Sequence, residues 1–318
     1  MTYCFLFPGQ GAQYPGMGRD LFDHSTNVRS LFEDASNIVG RDCGKLVFES
    51  SEEELRLTEN TQIAVILVNL SAAIVLAEEG IESNASAGFS LGEISALWDA
   101  GVLSTESAIS IAAERGRAMA DAAESLGSGE DAPGMTAVLG LDISEAQPVI
   151  EQLADDGVYL ANHSSPTQIV IAGTAAGLKR AEPLFAGAGA MKQVRLKVSG
   201  PFHSPLLEPA RVRFAGYLDQ VPFENPTKPF VSNSTGLPVS SGLEAKQNCI
   251  EQLISPVQWV KSEESLLHQG FDAYLEPGPG KVLTGLWKSF HKKQRCQPMG
   301  GVEQILQFDP DAAKANIA

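Results

Sequence analysis

The residues best suited to chemistry in this 318-residue chain are Gly88-Phe89-Ser90-Leu91-Gly92. A serine between two glycines, with helix-forming sequence after it, has the shape of a nucleophile elbow. The glycines let the backbone turn sharply from strand to helix and leave the serine hydroxyl exposed. At a helix N-terminus the first amides and the helix dipole favour developing negative charge, which suits acyl transfer through a serine ester. The pattern alone also fits a plain loop joining 84–87 to the next helix. A base, an oxyanion partner and a substrate anchor elsewhere in the chain decide between the two.

A serine nucleophile needs a base, and the histidines are His24, His163, His203, His268 and His291. His24 falls among polar residues of an N-terminal helix, and His268 and His291 on helices with charged neighbours; all three read as surface residues. His163 follows Asn162 and reads as a satisfied polar loop residue. His203 lies in the turn-rich segment Ser199-Gly200-Pro201-Phe202-His203-Ser204-Pro205, where a base facing a cleft and a structural turn residue are both consistent readings. No acidic residue stands close to His203 in sequence, so spacing identifies no third triad member. A carbonyl that holds one ring nitrogen as donor would leave the other to accept the serine proton.

The elements that must position these groups follow from pattern. Residues 3–7 read as a short buried strand, and Pro8-Gly9-Gln10-Gly11-Ala12-Gln13 as a loop of exposed amides. That loop is not a dinucleotide fingerprint, because Tyr14 stands where the last glycine belongs and no strand-end acid follows. Gly278-Pro279-Gly280-Lys281 likewise lacks phosphate-loop spacing, with Leu275 in place of the first glycine. Residues 61–79 have the spacing of a long buried helix; the apolar run 63–77 inside it is interrupted by Asn69 and Ser71 and is too short for a membrane span. Residues 84–88 read as a central strand and 93–100 as a helix ending at Gly101, which puts Ser90 at a strand-to-helix junction. Residues 105–123 form a further helix with Ser104 as N-cap and Ala108, Ile111, Ala112, Arg115 and Met119 on one side.

A break in composition at 125–134 reads as a linker. Beyond it strand 135–140, helix 144–153, strands 158–162 and 168–172, helix 175–186 and strand 191–196 follow in the order β-α-β-β-α-β, the ferredoxin-like split unit. The expected organisation is a small domain at 129–197 inserted into a larger α/β domain made of 1–128 and 198–318, with a cleft between them. Strands at 230–232 and 273–275 are the clearest later in the chain.

Composition sets outer limits. Hydrophobic residues make up 43% of the chain and charged residues 19%, an ordinary globular balance. Residues 1–7 run into Pro8-Gly9 with no basic region, which is not the pattern of a secretory signal. Cys4, Cys43, Cys249 and Cys296 lack metal or redox spacing, and reduced thiols in a cytoplasm are expected. A formal charge of −16 argues against nucleic-acid binding. Lys288, Lys292, Lys293 and Arg295 stand out as a basic cluster in an acidic chain, either a solvated helix end or a patch for an anionic partner.

Taken together, the motifs resemble those of malonyl-CoA:acyl-carrier-protein transacylases, the FabD-like acyltransferases, over nearly the whole length. The resemblance rests on Phe7-Pro8-Gly9-Gln10-Gly11-Ala12-Gln13, the Ser90 elbow with Glu93, Arg115-Gly116, Gly200-Pro201-Phe202-His203-Ser204, Pro256-Val257-Gln258-Trp259 and Gly278-Pro279-Gly280-Lys281-Val282-Leu283. It implies an α/β-hydrolase-like core with the inserted ferredoxin-like domain. It also implies Ser90 as nucleophile, His203 as base, backbone amides of Gln10 and Leu91 as oxyanion hole, and Arg115 as the anchor for a malonyl carboxylate. The histidine would be oriented by a carbonyl of the Gln258 region. Arg117, two positions along the same helix, is expected to face solvent.

The implied substrates are malonyl-CoA and the phosphopantetheine thiol of an acyl carrier protein, in a ping-pong reaction without metal or redox cofactor. The basic cluster would help dock an acidic carrier, and a cytoplasmic monomer with no membrane or nucleic-acid partner is expected. The family usually has histidine immediately before the nucleophile, where this chain has Phe89; that removes a polar group near the acyl pocket while Arg115 is retained. Other readings of the motifs are an acyltransferase of polyketide or malonate-decarboxylase type, a serine thioesterase or hydrolase, and a catalytically impaired carrier-protein-binding homologue.

Overall fold

In the computed structural model, which describes residues 1–315, the extended runs become strands β1 (Tyr3–Phe7), β2 (Ala85–Gly88), β3 (Gly134–Leu139), β4 (Val158–Ser165), β5 (Gln168–Gly173), β6 (Lys192–Arg195), β7 (Phe230–Val231) and β8 (Ala273–Glu276), and a strand not read from the sequence, β9 (Cys296–Pro298), joins them. Five of them form a sheet in the order β7-β2-β1-β8-β9, parallel at every pairing. β1, β2 and β8 are buried along their whole length, as parallel strands covered by helices on both faces must be. Leu6 pairs with Ala87 and Phe7 with Gly88. The loops carrying Gln10 and Ser90 therefore leave the sheet side by side at its C-terminal edge, where open parallel sheets bind their ligands.

Helix Thr58–Glu78 corresponds to the one expected at 61–79 and begins before the apolar run. Its 21 residues are long and apolar enough by composition to cross a membrane, more than the run 63–77 indicated. In the fold it is a core helix, buried over most of its length and packed against helix Thr105–Ser125. Being apolar on all sides suits a helix enclosed by protein. Helix Gly92–Asp99 follows β2 directly, and the chain leaves it through Gly101 at φ +75°. Ser104 caps the next helix by accepting a hydrogen bond from the Ser107 amide.

The second sheet is antiparallel, in the order β4-β5-β3-β6. Helices Ile143–Gln152 and Ala175–Gly187 complete the β-α-β-β-α-β order within 134–195. Alternate residues of its strands divide between two cores: Val138, Ile169 and Ile171 pack with Leu178 and Phe185 of the local helices. Ala137, Val170 and Ala172 pack with the core of the parallel sheet, as the two-residue strand period requires. The architecture is thus α/β, an α/β-hydrolase-like parallel sheet carrying an inserted ferredoxin-like unit. The break expected at 125–134 is partly helical, since helix Thr105–Ser125 runs into it and Gly129–Asp131 forms a single 3-10 turn. β4 is longer than expected and ends in irregular pairing; His163 lies in this strand, buried, with no partner for Nε2 among the described residues, and is not a loop residue. The same stretch ties the second sheet to the segment just before helix Trp259–Gln269, because the His163 amide donates to the Val257 carbonyl and the Val257 amide to that of Ala161.

Candidate active site

Ser90 sits between the end of β2 and helix Gly92–Asp99 with φ +53°, and His203 has φ +58°. Among the described residues no other non-glycine has positive φ. Left-handed backbone costs an ordinary L-residue roughly 1–2 kcal/mol, and such strain persists only where the surroundings enforce it. Both elbow glycines are obligatory. A Cβ on Gly88 would lie 1.9 Å from the Gly92 carbonyl oxygen, and one on Gly92 would lie 2.0 Å from that of Phe7. The turn is clamped from the end of β7: Asn233 Oδ1 accepts from the Ser90 amide at 2.6 Å, and Asn233 Nδ2 donates to the Gly88 carbonyl.

The structure brings the two strained residues together. Ser90 Oγ is 2.7 Å from His203 Nε2, and His203 Nδ1 is 2.8 Å from the Gln252 carbonyl. A carbonyl only accepts, so Nδ1 carries the proton and Nε2 faces Ser90 as an acceptor. Burial, and next the neighbouring Arg115 charge, push the His203 pKa down to about 4, against the opposing pull of the Gln252 and Ser255 backbone. The imidazole is neutral and able to take a proton at physiological pH.

The orienting carbonyl corrects one expectation. It belongs to Gln252, where helix Gly242–Glu251 ends and its free carbonyls point out. Gln258 instead precedes helix Trp259–Gln269; its amide donates to the Asn233 carbonyl and its own carbonyl accepts from the Ser262 amide. It reaches neither His203 nor the Ser90 hydroxyl.

Arg115 is 1% exposed. Its guanidinium donates to Gln62 Oε1 at 2.7 Å, to Gln252 Oε1 at 2.8 Å and to Ser90 Oγ at 3.3 Å. None of the ion pairs among the described residues includes it. Burial lowers its pKa only to about 10, so the charge remains. The buried Glu93 carboxyl acts on it through space without forming an ion pair, and a buried cation is stabilised best when an anion pairs with it directly. Arg117 points outward and pairs with Glu114, as expected.

The backbone amides of Gln10 and Leu91 donate to no acceptor among the described residues. The loop carrying Gln10 is held by Asn69, whose Nδ2 donates to the Pro8 carbonyl and to Ser95 Oγ. A small cavity of about 80 Å³ at Ser90 and His203 shares Gln10, Phe89, Asn162, Leu196 and Val198 with a larger one of about 440 Å³. The pair forms a path from the surface to the serine between the two sheets. Phe89 lines both and packs edge to face on Trp259, with ring centroids 5.4 Å apart.

Lys288, Lys292, Lys293 and Arg295 lie elsewhere. Helix Val282–Phe290 starts at the larger cavity and runs down to the edge where β9 begins, so the residues just before Cys296 sit at the N-terminal edge of the sheet. Lys288, Lys292 and Arg295 line a separate cavity of about 320 Å³. The basic side chains at the path to Ser90 are Arg56, already paired with Glu52, and the exposed Lys197. Of the other histidines, His24 and His268 are exposed, whereas His291 is half-buried, with Nδ1 accepting from the Gln294 amide.

Sequence reasoning missed Gln252, Asn233, Glu93 and Gln62. Gln62 left a trace as a polar residue at the start of an apolar helix, and Asn233 as a polar residue just past a strand. Gln252 left none.

The profile of the acyl transferase domain family matches residues 4–301. A malonyl CoA-acyl carrier protein transacylase of Bacillus subtilis is 37% identical over 304 residues, 95% of this chain and 94% of that one. The crystal structure of MCAT from Streptococcus pneumoniae superposes with a TM-score of 0.90 at 35% identity, covering 96% of this chain and 98% of the other. A malonyl-transacylase in complex with its type II polyketide acyl-carrier protein gives 0.90 at 32%, covering 99% and 100%.

Proposed function

The chain belongs to the malonyl-CoA:acyl-carrier-protein transacylase family of acyl transferases, and from that premise we propose that Ser90 carries a malonyl group, as an ester, from coenzyme A to the phosphopantetheine thiol of an acyl carrier protein. The observation that carries this reading is the buried Arg115 guanidinium, in no ion pair among the described residues and 3.3 Å from the Ser90 hydroxyl. A planar fork there fits a carboxylate at the far end of a short acyl group, and an acetyl group has none.

Each step has a residue. The malonyl carboxylate pairs with Arg115, which offsets the positive charge that lowers the His203 pKa, so substrate binding makes the base stronger. Ser90 Oγ attacks the thioester carbonyl as its proton passes to His203 Nε2, and the oxyanion meets the free amides of Gln10 and Leu91. Such a donor typically contributes about 10²–10³ in rate, because the charge it meets exists only in the transition state. The C–S bond breaks, and the coenzyme A sulfur leaves with the proton from His203. A phosphopantetheine thiol then enters by the same path, gives its proton to His203 and attacks the ester; the Ser90 oxygen departs and recovers that proton.

The neutral Gln252 carbonyl does the orienting that an acid does in a triad. In this reading 129–197 is an inserted domain supplying one wall of the path and 1–128 with 198–318 the other, supported by Asn162, Leu196 and Val198 lining it. Intact-mass analysis after brief incubation with malonyl-, acetyl- or methylmalonyl-CoA tests the proposal. A malonyl adduct is expected on the wild type and absent from Ser90→Ala. Free acid released without any thiol acceptor, or no adduct at all, would overturn it.

A further inference from the structure

Two buried side chains have no part in the steps above, Glu93 and the amide of Gln252, and they are hydrogen-bonded to each other. Gln252 touches His203, Arg115 and Ser90 at once. Its backbone carbonyl accepts from His203, its Oε1 accepts from Arg115 at 2.8 Å, and its Nε2 donates to the Ser90 carbonyl at 3.0 Å and to Glu93 Oε2. A side-chain amide has a donor end and an acceptor end of nearly the same shape, and its neighbours decide which way it points. Arg115 can only donate. On the other side of Glu93, Oε1 accepts at 3.0 Å from the amide of Asn233, whose Oδ1 holds the Ser90 amide.

We infer that Glu93 is a positioning residue for acyl selectivity: by presenting an oxygen that only accepts, it keeps the Gln252 amide oxygen on Arg115 and so aims the guanidinium at the acyl carboxylate. The inference rests on Arg115 being that anchor. Burial raises the Glu93 pKa to about 7, against the pull of the Asn233 amide, the Ser232 hydroxyl and Arg115. As the carboxylate, Glu93 accepts from both Gln252 and Asn233, and replacement by glutamine changes the direction of one of those hydrogen bonds. The Asn233 amide is a fixed donor, so in Glu93→Gln the new side-chain oxygen must face it and the new NH₂ must face Gln252. Gln252 then either meets it donor to donor or turns over. Turning over sets its NH₂ against Arg115 and gives up the bond to the Ser90 carbonyl.

The test measures acylation of the whole enzyme by malonyl-CoA and acetyl-CoA in wild type, Glu93→Gln, Gln252→Ala and the double variant. The expected result is a malonyl-to-acetyl ratio of kcat/KM that falls roughly tenfold or more in Glu93→Gln, the size of one charge-assisted hydrogen bond. The loss should appear in KM for malonyl-CoA. Adding Glu93→Gln to Gln252→Ala should lower the ratio no further, because one effect passes through the other. Equal loss with both acyl donors, an unchanged ratio or additive effects overturn the inference. Should Glu93→Gln fail to fold, Gln252→Ala alone decides, and an unchanged ratio there overturns it. A malonyl preference that survives Arg115→Ala shows instead that the anchor reading is wrong, and the Glu93 inference falls with it.

Discussion

Ser90, His203 and Arg115 come from three distant segments, and each is useless to the reaction alone. The serine needs the histidine as proton acceptor, and the arginine needs an anion to complete it. Replacing Arg115 by alanine should lower kcat/KM for malonyl-CoA by about 10–100-fold, the loss expected for a charge-assisted pair. Labelling of Ser90 by acetyl-CoA should persist; an unchanged malonyl-to-acetyl ratio would remove Arg115 from its role. The histidine gives a pH prediction. His203 is neutral above its depressed pKa and is lost as a base when pH falls through it, so the acid limb of kcat/KM in the free enzyme should lie near pH 4. Arg115 is one cause of that depression, so Arg115→Ala should move the limb upward when acetyl-CoA acylation is followed. A limb that stays in place would mean that burial alone sets the value.

Elements position these residues by close backbone approach and by where helices stop. The elbow exists because β1 and β2 end level and the chain can pass with no Cβ at Gly88 and Gly92. Gly92→Ala puts a methyl 2.0 Å from the Phe7 carbonyl oxygen, so the turn must open. A loss of roughly 1–3 kcal/mol or more is expected in thermal or denaturant unfolding, together with loss of the Ser90 adduct in whatever folds. Wild-type labelling in this variant would show that the turn tolerates displacement. A contrasting site is Asp142, which caps helix Ile143–Gln152 through a reciprocal box with Glu145. Asp142→Ala should lower the midpoint of thermal unfolding and leave Ser90 labelling unaltered, because it acts on a helix end that lines neither cavity of the path.

At the scale of the whole molecule, the net charge of −16 means that the acidic carrier expected from the sequence would have to be received through local positive charge. Lys197 stands at the path to Ser90, whereas Lys292 and Lys293 lie at the opposite edge of the sheet. Lys197→Glu should raise KM for the carrier protein several-fold, roughly 1 kcal/mol, while reversing Lys292 and Lys293 leaves it unaltered; the opposite outcome would return docking to the C-terminal cluster. The sequence by itself determined most of the elements up to residue 200, the inserted β-α-β-β-α-β order and the elbow, because periodicity, caps and glycine spacing are local properties; the roles of His203 and Arg115 came from the resemblance of the motifs, since spacing alone left His203 with two readings. It did not reveal that Gln252 rather than the Gln258 region holds the histidine, that His163 is a buried strand residue, or which end of the sheet the basic cluster occupies. Those depend on where a helix ends relative to residues some fifty positions away and on the direction of parallel strands, and only the tertiary structure decides them.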